Sequence, residues 1–305
     1  MKHWGPKLYR YLLDNVDRQG VPTLQYDKHK KKLSNTLLYA ARHIPFYKAY
    51  KNAPFALWPT VDENMMRENK DLFLLRKKIW SYFSLSQSTE NISVKETKFL
   101  QKKNKQAATK PILHFNNLVG YTCIHQRLCF PKNLYWIEKA WVDDEKKRFI
   151  PVITTLRRRT HILIRFRLNQ IFMEGDALCE CSEHMWVIEK NISTAEEILY
   201  LPHLYEKQSR PIFLDQIEIF FRRFISIQDF QIVQQSLHKW LLKIKAKNAD
   251  LTSLKRLKRT IKKELENFLT QSQVRCPEIK FIFLDEGQEF LGENKVLKEY
   301  NALGS

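Results

Sequence analysis

Glycine is scarce in this chain, which has only 7 glycines among its 305 residues. The seven are dispersed, and nowhere do they form a dense cluster. Phosphate-cradling loops are rich in glycine because a residue without a side chain lets backbone amides approach the ligand closely. The sequence therefore disfavours a glycine-rich phosphate loop.

Long apolar runs are also missing. No stretch of about eighteen consecutive apolar residues occurs, so no transmembrane helix is predicted. The first twenty residues, MKHWGPKLYRYLLDNVDRQG, carry scattered charges and lack the apolar core of a secretory signal. We therefore expect a cytoplasmic protein without membrane insertion, in which cysteines do not form disulfides.

Positive charge is abundant, with 52 Lys and Arg against 33 Asp and Glu and a net charge of +19. Such a balance indicates either a nucleic-acid or other polyanionic partner, or a set of solvated lysine surfaces. The densest basic clusters are not interleaved with the aromatic residues on which bases stack. They lie at residues 29–32, 102–110 and 255–263. We favour solvated surfaces and keep polyanion binding as an alternative.

The spacing of apolar residues predicts the secondary structure. Helical spacing is found at residues 7–50, with a break at Gly20 and a helix end expected before Ile44-Pro45, and helices are also predicted at 62–73, 215–224 and 251–269. Strands are predicted at 112–123, 134–142, 149–155, 161–168, 184–190, 230–235, 240–246 and 279–284. This order predicts an α/β fold with a mixed sheet in residues 1–200 and a small α+β unit in residues 201–305.

Two helix starts are also predicted from side chains that can cap a helix. Thr60, with Glu63 three residues later, has the spacing of a capping box at the start of the 62–73 helix. Thr252 or Ser253 is expected to begin the basic helix at 251–269.

Four of the five cysteines form two close pairs beside predicted strands. The pairs are Cys123 with Cys129, and Cys179 with Cys181. Two such pairs are the arrangement that a tetrahedral thiolate zinc site requires, with His125 and His184 as reserve ligands. The alternative is two independent pairs of buried, small apolar side chains.

Residues 148–191 read RFIPVITTLRRRTHILIRFRLNQIFMEGDALCECSEHMWVIEKN. This segment resembles the adenylate-forming (AMP-binding) enzymes, in the branch of phenylacetate–coenzyme A ligase and the coenzyme F synthetase-related proteins. In that branch a PIIRYRLND strand precedes C-P-C-G-x-P and IERIEGRxDD. HIPFYKAYKNAPFALWPTVDENMMRENKDLF resembles the family's opening segment, WIEKAWVDDEKKRF the strand before the arginines, and QDFQIVQQSLHKWLLKIKA the hinged C-terminal lid. The resemblance covers most of residues 35–75 and 118–300.

The resemblance implies a shortened adenylate-forming mixed sheet with a C-terminal lid. It implies that Arg165 and Arg167 contact the nucleotide, that Glu196 and Glu197 stand at the hinge, and that Lys295 is the catalytic lysine of the lid. Each assignment has an alternative. The two arginines could pair with carboxylates across the sheet. Glu196 and Glu197 could simply begin a helix or turn, and Lys295 could be an ordinary exposed lysine. In this branch a cysteine and a histidine six residues later join the C-x-C pair around a structural zinc. Here Cys123 and Cys129 would take those two places.

Several catalytic positions depart from the family pattern. The phosphate loop would fall at SQSTENISVK, which has no glycine, and the magnesium-side Thr-Glu at Phe115-Asn116. The ribose-binding aspartate is replaced by Gln170, and the Gly-Arg of the hinge by Ser193-Thr194. The family's nucleotide- and acyl-binding core is also shortened between residues 75 and 118.

We therefore predict a degenerate family member without competent ATP-dependent acyl adenylation. One alternative is an active acyl-coenzyme A ligase that uses ATP, Mg²⁺, an acyl or aryl carboxylate and coenzyme A. Another is a basic module that binds nucleic acid or another polyanion. The sequence leaves the oligomeric state open.

Overall fold

The structure is a computed structural model that describes residues 23–73, 112–115, 118–123, 125–156, 162–175, 185–247, 250–285, 287–292 and 294–299. The chain divides into two compact units, Met1–Leu168 with Phe172–Asn191, and Asn169–Ile171 with Ile192–Ser305. The α/β class predicted from the sequence is confirmed. The division at residue 200 stays a prediction. Of the helices in the described ranges, none is long and apolar enough to cross a membrane.

The first unit begins with helix α1, Thr23–His43. Leu33, Leu37 and Ala40 recur at three- and four-residue spacing and are buried, which places one face of α1 in the core. The helix ends where the sequence predicts, because Ile44 precedes a proline and is extended, with φ −108° and ψ 117°. Three short 3₁₀ helices follow at Pro45–Tyr50, Phe55–Leu57 and Lys70–Leu72.

Helix α2, Glu63–Glu68, is shorter than predicted and is capped by a different residue. The side chain of Asp62 accepts a 2.8 Å hydrogen bond from the backbone N–H of Met65. The predicted cap at Thr60 is therefore wrong, because Asp62 is the extended residue directly before the first helical turn.

The strands of the first unit form one eight-stranded sheet. They are β1 Ile112–Phe115, β2 Leu118–Thr122, β3 Leu128–Pro131, β4 Tyr135–Trp141, β5 Arg148–Thr155, β6 Phe166–Arg167, β7 Ile171–Glu174 and β8 Met185–Ser193. The order is β1-β2-β3-β8-β7-β5-β4, with β6 paired to β5. The predicted 112–123 strand is a hairpin of β1 and β2, and in the described part of the predicted 161–168 strand, residues 162–168, only β6 forms. Strands β3 and β7 were not predicted.

The described residues of the second unit form two sheets. A short 3₁₀ helix, Ala195–Glu197, precedes a hairpin of β9 Leu199–Pro202 and β10 Ser209–Ile212. Then come α3 Leu214–Phe221, β11 Ile227–Ser236, β12 Lys239–Ala246, α4 Leu251–Gln271, β13 Glu278–Leu284 and β14 Val296–Lys298. The order β13-β12-β11-β14 combines one antiparallel pair, β11–β12, with two parallel pairs. The hairpin β9–β10 and strand β14 were not predicted.

Helix α4 covers this mixed sheet with an apolar stripe. Ile261, Leu265 and Leu269 are fully buried and belong to the same core as the sheet residues Trp240 and Leu242. The helix is capped by Asp250, whose side chain accepts a 3.1 Å hydrogen bond from the backbone N–H of Ser253. The predicted start at Thr252 or Ser253 is therefore wrong, since both residues lie inside the first turn.

Candidate functional site

The predicted site residues lie in both units, and Arg165 belongs to the first. Its guanidinium forms a two-pronged contact with Glu138: Nε donates to Oε2 at 3.2 Å, and Nη2 lies 3.1 Å from Oε1. Nη1 donates to the carbonyl oxygens of Ala56 at 2.9 Å and Trp58 at 2.6 Å. The guanidinium carbon lies 5.6 Å from the centroid of the Phe55 ring. Arg165 thus ties strand β4 to the segment around the second 3₁₀ helix.

The surroundings of this ion pair are partly desolvated. The Arg165 and Glu138 side chains are only 18% and 23% exposed. Burial raises the pKa of the Glu138 carboxyl, and the charge and hydrogen bond of Arg165 offset this rise only in part. Loss of Arg165 would therefore leave a half-buried carboxyl without the guanidinium that offsets its burial.

The backbone of Arg165 is also unusual. Its φ is +47°, in the left-handed region that residues with a side chain seldom adopt. The Thr154 hydroxyl accepts a 3.0 Å hydrogen bond from the Arg165 N–H, and the Arg165 carbonyl accepts one from Val61 at 3.0 Å. These contacts hold a strained residue at the position that the resemblance assigns to the nucleotide.

Arg167 behaves differently although it is only two residues away. Its side chain is exposed, and its backbone N–H donates to the Val61 carbonyl at 2.8 Å. Within the ranges that the structure describes, no ion pair of the Arg167 guanidinium is found. Of the two arginines, Arg167 is the one whose charge is available to an external anion.

In the second unit, Lys295 directly precedes β14. Its ammonium pairs with the Asp229 carboxylate on β11. The same nitrogen lies 5.9 Å from the ring centroid of Phe230 and 5.7 Å from that of Phe290. Lys295 is about one-third exposed, so this is a partly solvated pair beside two aromatic rings.

Two buried polar side chains fix the backbone around Lys295. Glu197 accepts hydrogen bonds from the Thr194 N–H at 3.1 Å, the Thr194 hydroxyl at 3.2 Å and the Lys295 N–H at 3.2 Å. Gln231, which is 1% exposed, donates to the carbonyls of Leu291 at 2.9 Å and Asn294 at 3.0 Å. The structure thus brings together two predicted residues: the carboxylate of Glu197 contacts the backbone of Lys295, not its ammonium.

Glu196 points to a different set of groups from its neighbour Glu197. Its carboxylate accepts a 3.0 Å hydrogen bond from the side-chain amide of Asn169, and its charge raises the pKa of Lys298. Burial of Lys298 outweighs that effect, so the pKa of this lysine is lowered. The Lys298 ammonium lies 5.3 Å from the centroid of the Tyr200 ring.

The predicted zinc ligands lie only partly within the described residues. Cys123 and Cys129 are 6% and 0% exposed and share a small cluster with Met185 and Val187. Cys123 begins the turn into β3, where its N–H donates to the Arg127 carbonyl at 2.9 Å, and Cys129 pairs with Val187 across β3–β8. Cys179, Cys181 and the reserve ligand His184 lie outside the described residues. Among those described, no three His, Cys, Asp or Glu side chains converge as a metal site would require.

Two members of the cluster around Lys295 were not found from the sequence. Asp229 directly precedes the predicted 230–235 strand and Gln231 lies within it, and these polar residues alternate with Phe230 and Ile232. The alternation is a usable signal, because a buried glutamine in a strand needs a hydrogen-bonding partner. What the sequence could not supply is that the backbone carbonyls of Leu291 and Asn294 are this partner.

Comparison with known proteins gives only distant likenesses. No protein-family model and no curated protein matches the chain. It is similar to the solved structure of 2-hydroxyisobutyryl-CoA ligase in the postadenylation state, with 12% identity and a TM-score of 0.43 over 60% of this chain and 40% of that one. It is also similar to fatty acyl-adenylate ligases from E. coli and L. pneumophila, with 10% identity and a TM-score of 0.34 over 56% and 30%. For the GH3.15 acyl acid amido synthetase the identity is 13% and the TM-score 0.30, over 54% and 31%.

The chain thus spans 40% or less of the length of these three structures. Their names describe acyl ligases and synthetases. At identities of 13% or below, nothing about the activity of this chain follows from them.

Proposed function

We propose that this protein is a shortened relative of the adenylate-forming enzymes that keeps the scaffold and the lid but does not carry out ATP-dependent acyl adenylation. The proposal rests on the sequence motifs and on how the matching residues are used. The observation that carries it is that Arg165 directs its guanidinium at Glu138 and at two backbone carbonyls of its own unit. A guanidinium has five N–H donors, and these contacts engage the sides with which it would bind phosphate bidentately.

The second unit supports the same proposal. The Lys295 ammonium is neutralised by Asp229, and the Glu197 carboxylate accepts three hydrogen bonds from its own unit. A lysine that stabilises an acyl adenylate must give its charge to the reacting group. Here it would first have to leave a carboxylate, and Glu197 would have to release the backbone of Lys295.

Carboxylate-dependent exchange of radiolabelled pyrophosphate into ATP tests the proposal. The purified protein is incubated with Mg²⁺ and a panel of acyl and aryl acids, and an active acyl-coenzyme A ligase serves as the positive control. We expect exchange at the level of the protein-free blank for every acid. Exchange that depends on one acid, and that falls in Arg167→Gln and Lys295→Gln variants, would instead establish the active-ligase alternative.

We further propose that Cys123, Cys129, Cys179 and Cys181 hold one structural zinc ion. The support is that the two described thiols are buried in one cluster, and that thiolates are preferred zinc ligands. Bound there, zinc would join two segments of the chain that are distant in sequence and would supply folding energy rather than chemistry.

Metal analysis after dialysis against buffered Zn²⁺ tests this second proposal. We expect about one zinc per chain, and a loss of metal and of thermal stability in Cys129→Ser. The control is Cys276→Ser, because Cys276 is exposed and lies in the second unit. A metal-free wild-type protein whose stability matches that of Cys129→Ser would contradict the zinc proposal.

A further inference from the structure

Helix α4 carries a dense row of cations on its exposed side, which we call the α4 basic face. It consists of Lys255, Arg256, Lys258, Arg259, Lys262 and Lys263, all of them exposed. No acidic residue occurs between positions 255 and 263. The opposite side of the helix is the buried stripe that includes Ile261 and Leu265. The basic face is therefore held outward by the core of its own unit.

The six cations are not used by the second unit itself. Across the described part of the chain, no Asp or Glu forms an ion pair with any of them. Lys258 alone has an aromatic neighbour, with its ammonium 5.6 Å from the centroid of the Phe281 ring. Glu266 follows on the same face one turn after Lys262, so the basic surface ends there.

Helix stability does not explain this arrangement either. Three pairs of like charges stand four residues apart, Lys255 with Arg259, Lys258 with Lys262 and Arg259 with Lys263. Such pairs destabilise a helix. Cations near the start of a helix also oppose its macrodipole, and the first turn of α4 contains no acidic residue. The sequence thus retains a pattern that works against the helix that carries it.

The charge is local rather than a property of the whole unit. Residues 192–305 contain 18 of the 52 Lys and Arg and 15 of the 33 Asp and Glu. Six of those 18 cations lie within the nine residues of the basic face. Without them the remainder of this segment is net acidic. A polyanion approaching the second unit would therefore be directed to one helix face.

We propose that the α4 basic face binds the phosphodiester backbone of nucleic acid without reading its sequence. At 1.5 Å per residue, the face is about 12 Å long. Over that length each strand of a duplex presents roughly three or four phosphates. Among the described residues no exposed aromatic ring accompanies the cations of this face, so it supplies backbone contacts but no stacking or base readout. This proposal does not depend on the proposed function above.

An anionic membrane is the competing partner, and the structure disfavours it. A helix that lies in a bilayer surface needs an exposed apolar face beside its cations. The apolar stripe of α4 is buried in the core, as Ile261, Leu265 and Leu269 show. Leu251, 77% exposed in the first turn, is the large apolar side chain that α4 offers to solvent.

Fluorescence anisotropy with labelled random-sequence 20-mers, single-stranded and duplex, tests the proposal on the full chain. The variant Lys255→Gln/Arg256→Gln/Arg259→Gln/Lys263→Gln removes four exposed cations and keeps Lys258, which lies beside Phe281. We expect its Kd to rise at least tenfold at low salt. The slope of log K against log salt should become shallower by about 3 to 4, since each neutralised phosphate contributes about 0.9.

The matched control removes the same charge elsewhere, as Arg42→Gln/Lys48→Gln/Lys146→Gln/Lys207→Gln, all exposed positions. It should change Kd by less than about threefold, because only dispersed charge is lost. Circular dichroism reports whether each variant is folded. If the fourfold α4 variant is not, Arg256→Gln/Arg259→Gln should still reduce the slope by about 2.

Three outcomes would overturn the proposal. The first is a wild-type protein that binds neither oligonucleotide at low salt. The second is an equal loss of affinity in the α4 and control variants, which would assign binding to net charge. The third is retention on vesicles of phosphatidylcholine with 30% phosphatidylserine, abolished by Leu251→Ser, without oligonucleotide binding.

Discussion

The two units treat their predicted functional cations in opposite ways. In the first unit Arg165 is 18% exposed and contacts a carboxylate and two backbone carbonyls. In the second, Lys295 is 32% exposed and has one carboxylate partner, Asp229. One cation therefore cross-links a scaffold, whereas the other is a partly solvated charge on a backbone that Glu197 and Gln231 hold.

Charge is distributed between the units in a way that net charge conceals. Residues 1–191 carry 34 of the 52 Lys and Arg and 18 of the 33 Asp and Glu, so most of the excess lies there. Yet the densest cluster of exposed cations that the structure describes is the α4 basic face, in the second unit. An overall charge of +19 therefore does not locate a binding surface, whereas exposure and the absence of pairing do.

The largest effect is expected where the first unit loses its cross-link. Arg165→Met should lower the free energy of unfolding by about 3 kcal/mol, because Glu138 is left partly buried without its ion-pair and hydrogen-bond partner. Urea unfolding followed by tryptophan fluorescence measures it, since Trp58 and Trp136 are both in this core.

Arg167→Met is the matched control for Arg165→Met. This exposed neighbour should change the free energy by less than about 0.5 kcal/mol. The double variant Arg165→Met/Glu138→Gln should recover part of the loss, since the unpaired charge is gone. Equal losses for the two arginines would show that Arg165 does not hold the scaffold.

In the second unit we expect the next largest effect at Glu197, not at Lys295. Glu197→Ala removes the capping-box acceptor of Thr194 and the acceptor of the Lys295 N–H, which should destabilise this unit by about 2 kcal/mol. Hydrogen exchange of the amides at residues 291–299, followed by mass spectrometry, reports the loosening directly.

Glu196→Ala is the control for Glu197→Ala, because Glu196 is exposed and contacts Asn169 instead. Its loss should be below about 0.5 kcal/mol. If the amides of residues 291–299 were equally protected from hydrogen exchange in both alanine variants, Glu197 would not fix the backbone of Lys295.

A third effect is confined to the first unit and depends on pH. Burial lowers the pKa of His29 to about 4, with the nearby charges of Lys32 and Lys132 adding to the shift. Below its unfolded pKa of about 6.5 the unfolded chain binds a proton that the folded one does not. Stability from this group is therefore complete above pH 6.5 and declines as the pH falls towards 4. Between pH 7 and 5 the loss should be roughly 1–2 kcal/mol.

Urea unfolding at several pH values checks this prediction, with His29→Gln as the variant. His29→Gln should flatten the decline between pH 7 and 5, whereas His43→Gln, an exposed histidine of the same helix, should retain it. If the stability of the wild-type protein did not decline between pH 7 and 5, the prediction for His29 would be wrong.

Local signals made α1, α4, β11 and β12 predictable. The end of α1 follows from the proline at position 45, and α4 from the spacing of Ile261, Leu265 and Leu269. Strand β14 is only three residues long and forms by pairing in parallel with the edge of β11, which no local sequence pattern predicts. The caps were misassigned for a related reason: several adjacent polar residues could serve, and backbone geometry chose Asp62 and Asp250.

The candidate site was predictable only in part, because its partners are distant in sequence. The motif resemblance identified Arg165 and Lys295 as residues of interest. Their partners, Glu138 and Asp229, lie 27 and 66 residues away. Pairing over such separations is decided by the sheet register, which sequence spacing does not contain.

The smallest effect is expected at Lys295, and it bears most directly on the comparison between the units. Lys295→Met removes a partly solvated ion pair with Asp229, and such pairs contribute about 0.2–1 kcal/mol. Its loss should shrink further in 0.5 M salt, because solvated charges are screened. Urea unfolding at low and high salt measures both effects, with Lys298→Met as a control that leaves Asp229 paired. A loss above about 2 kcal/mol that salt does not reduce would put Lys295 in the same role as Arg165, and the contrast between the two units would disappear.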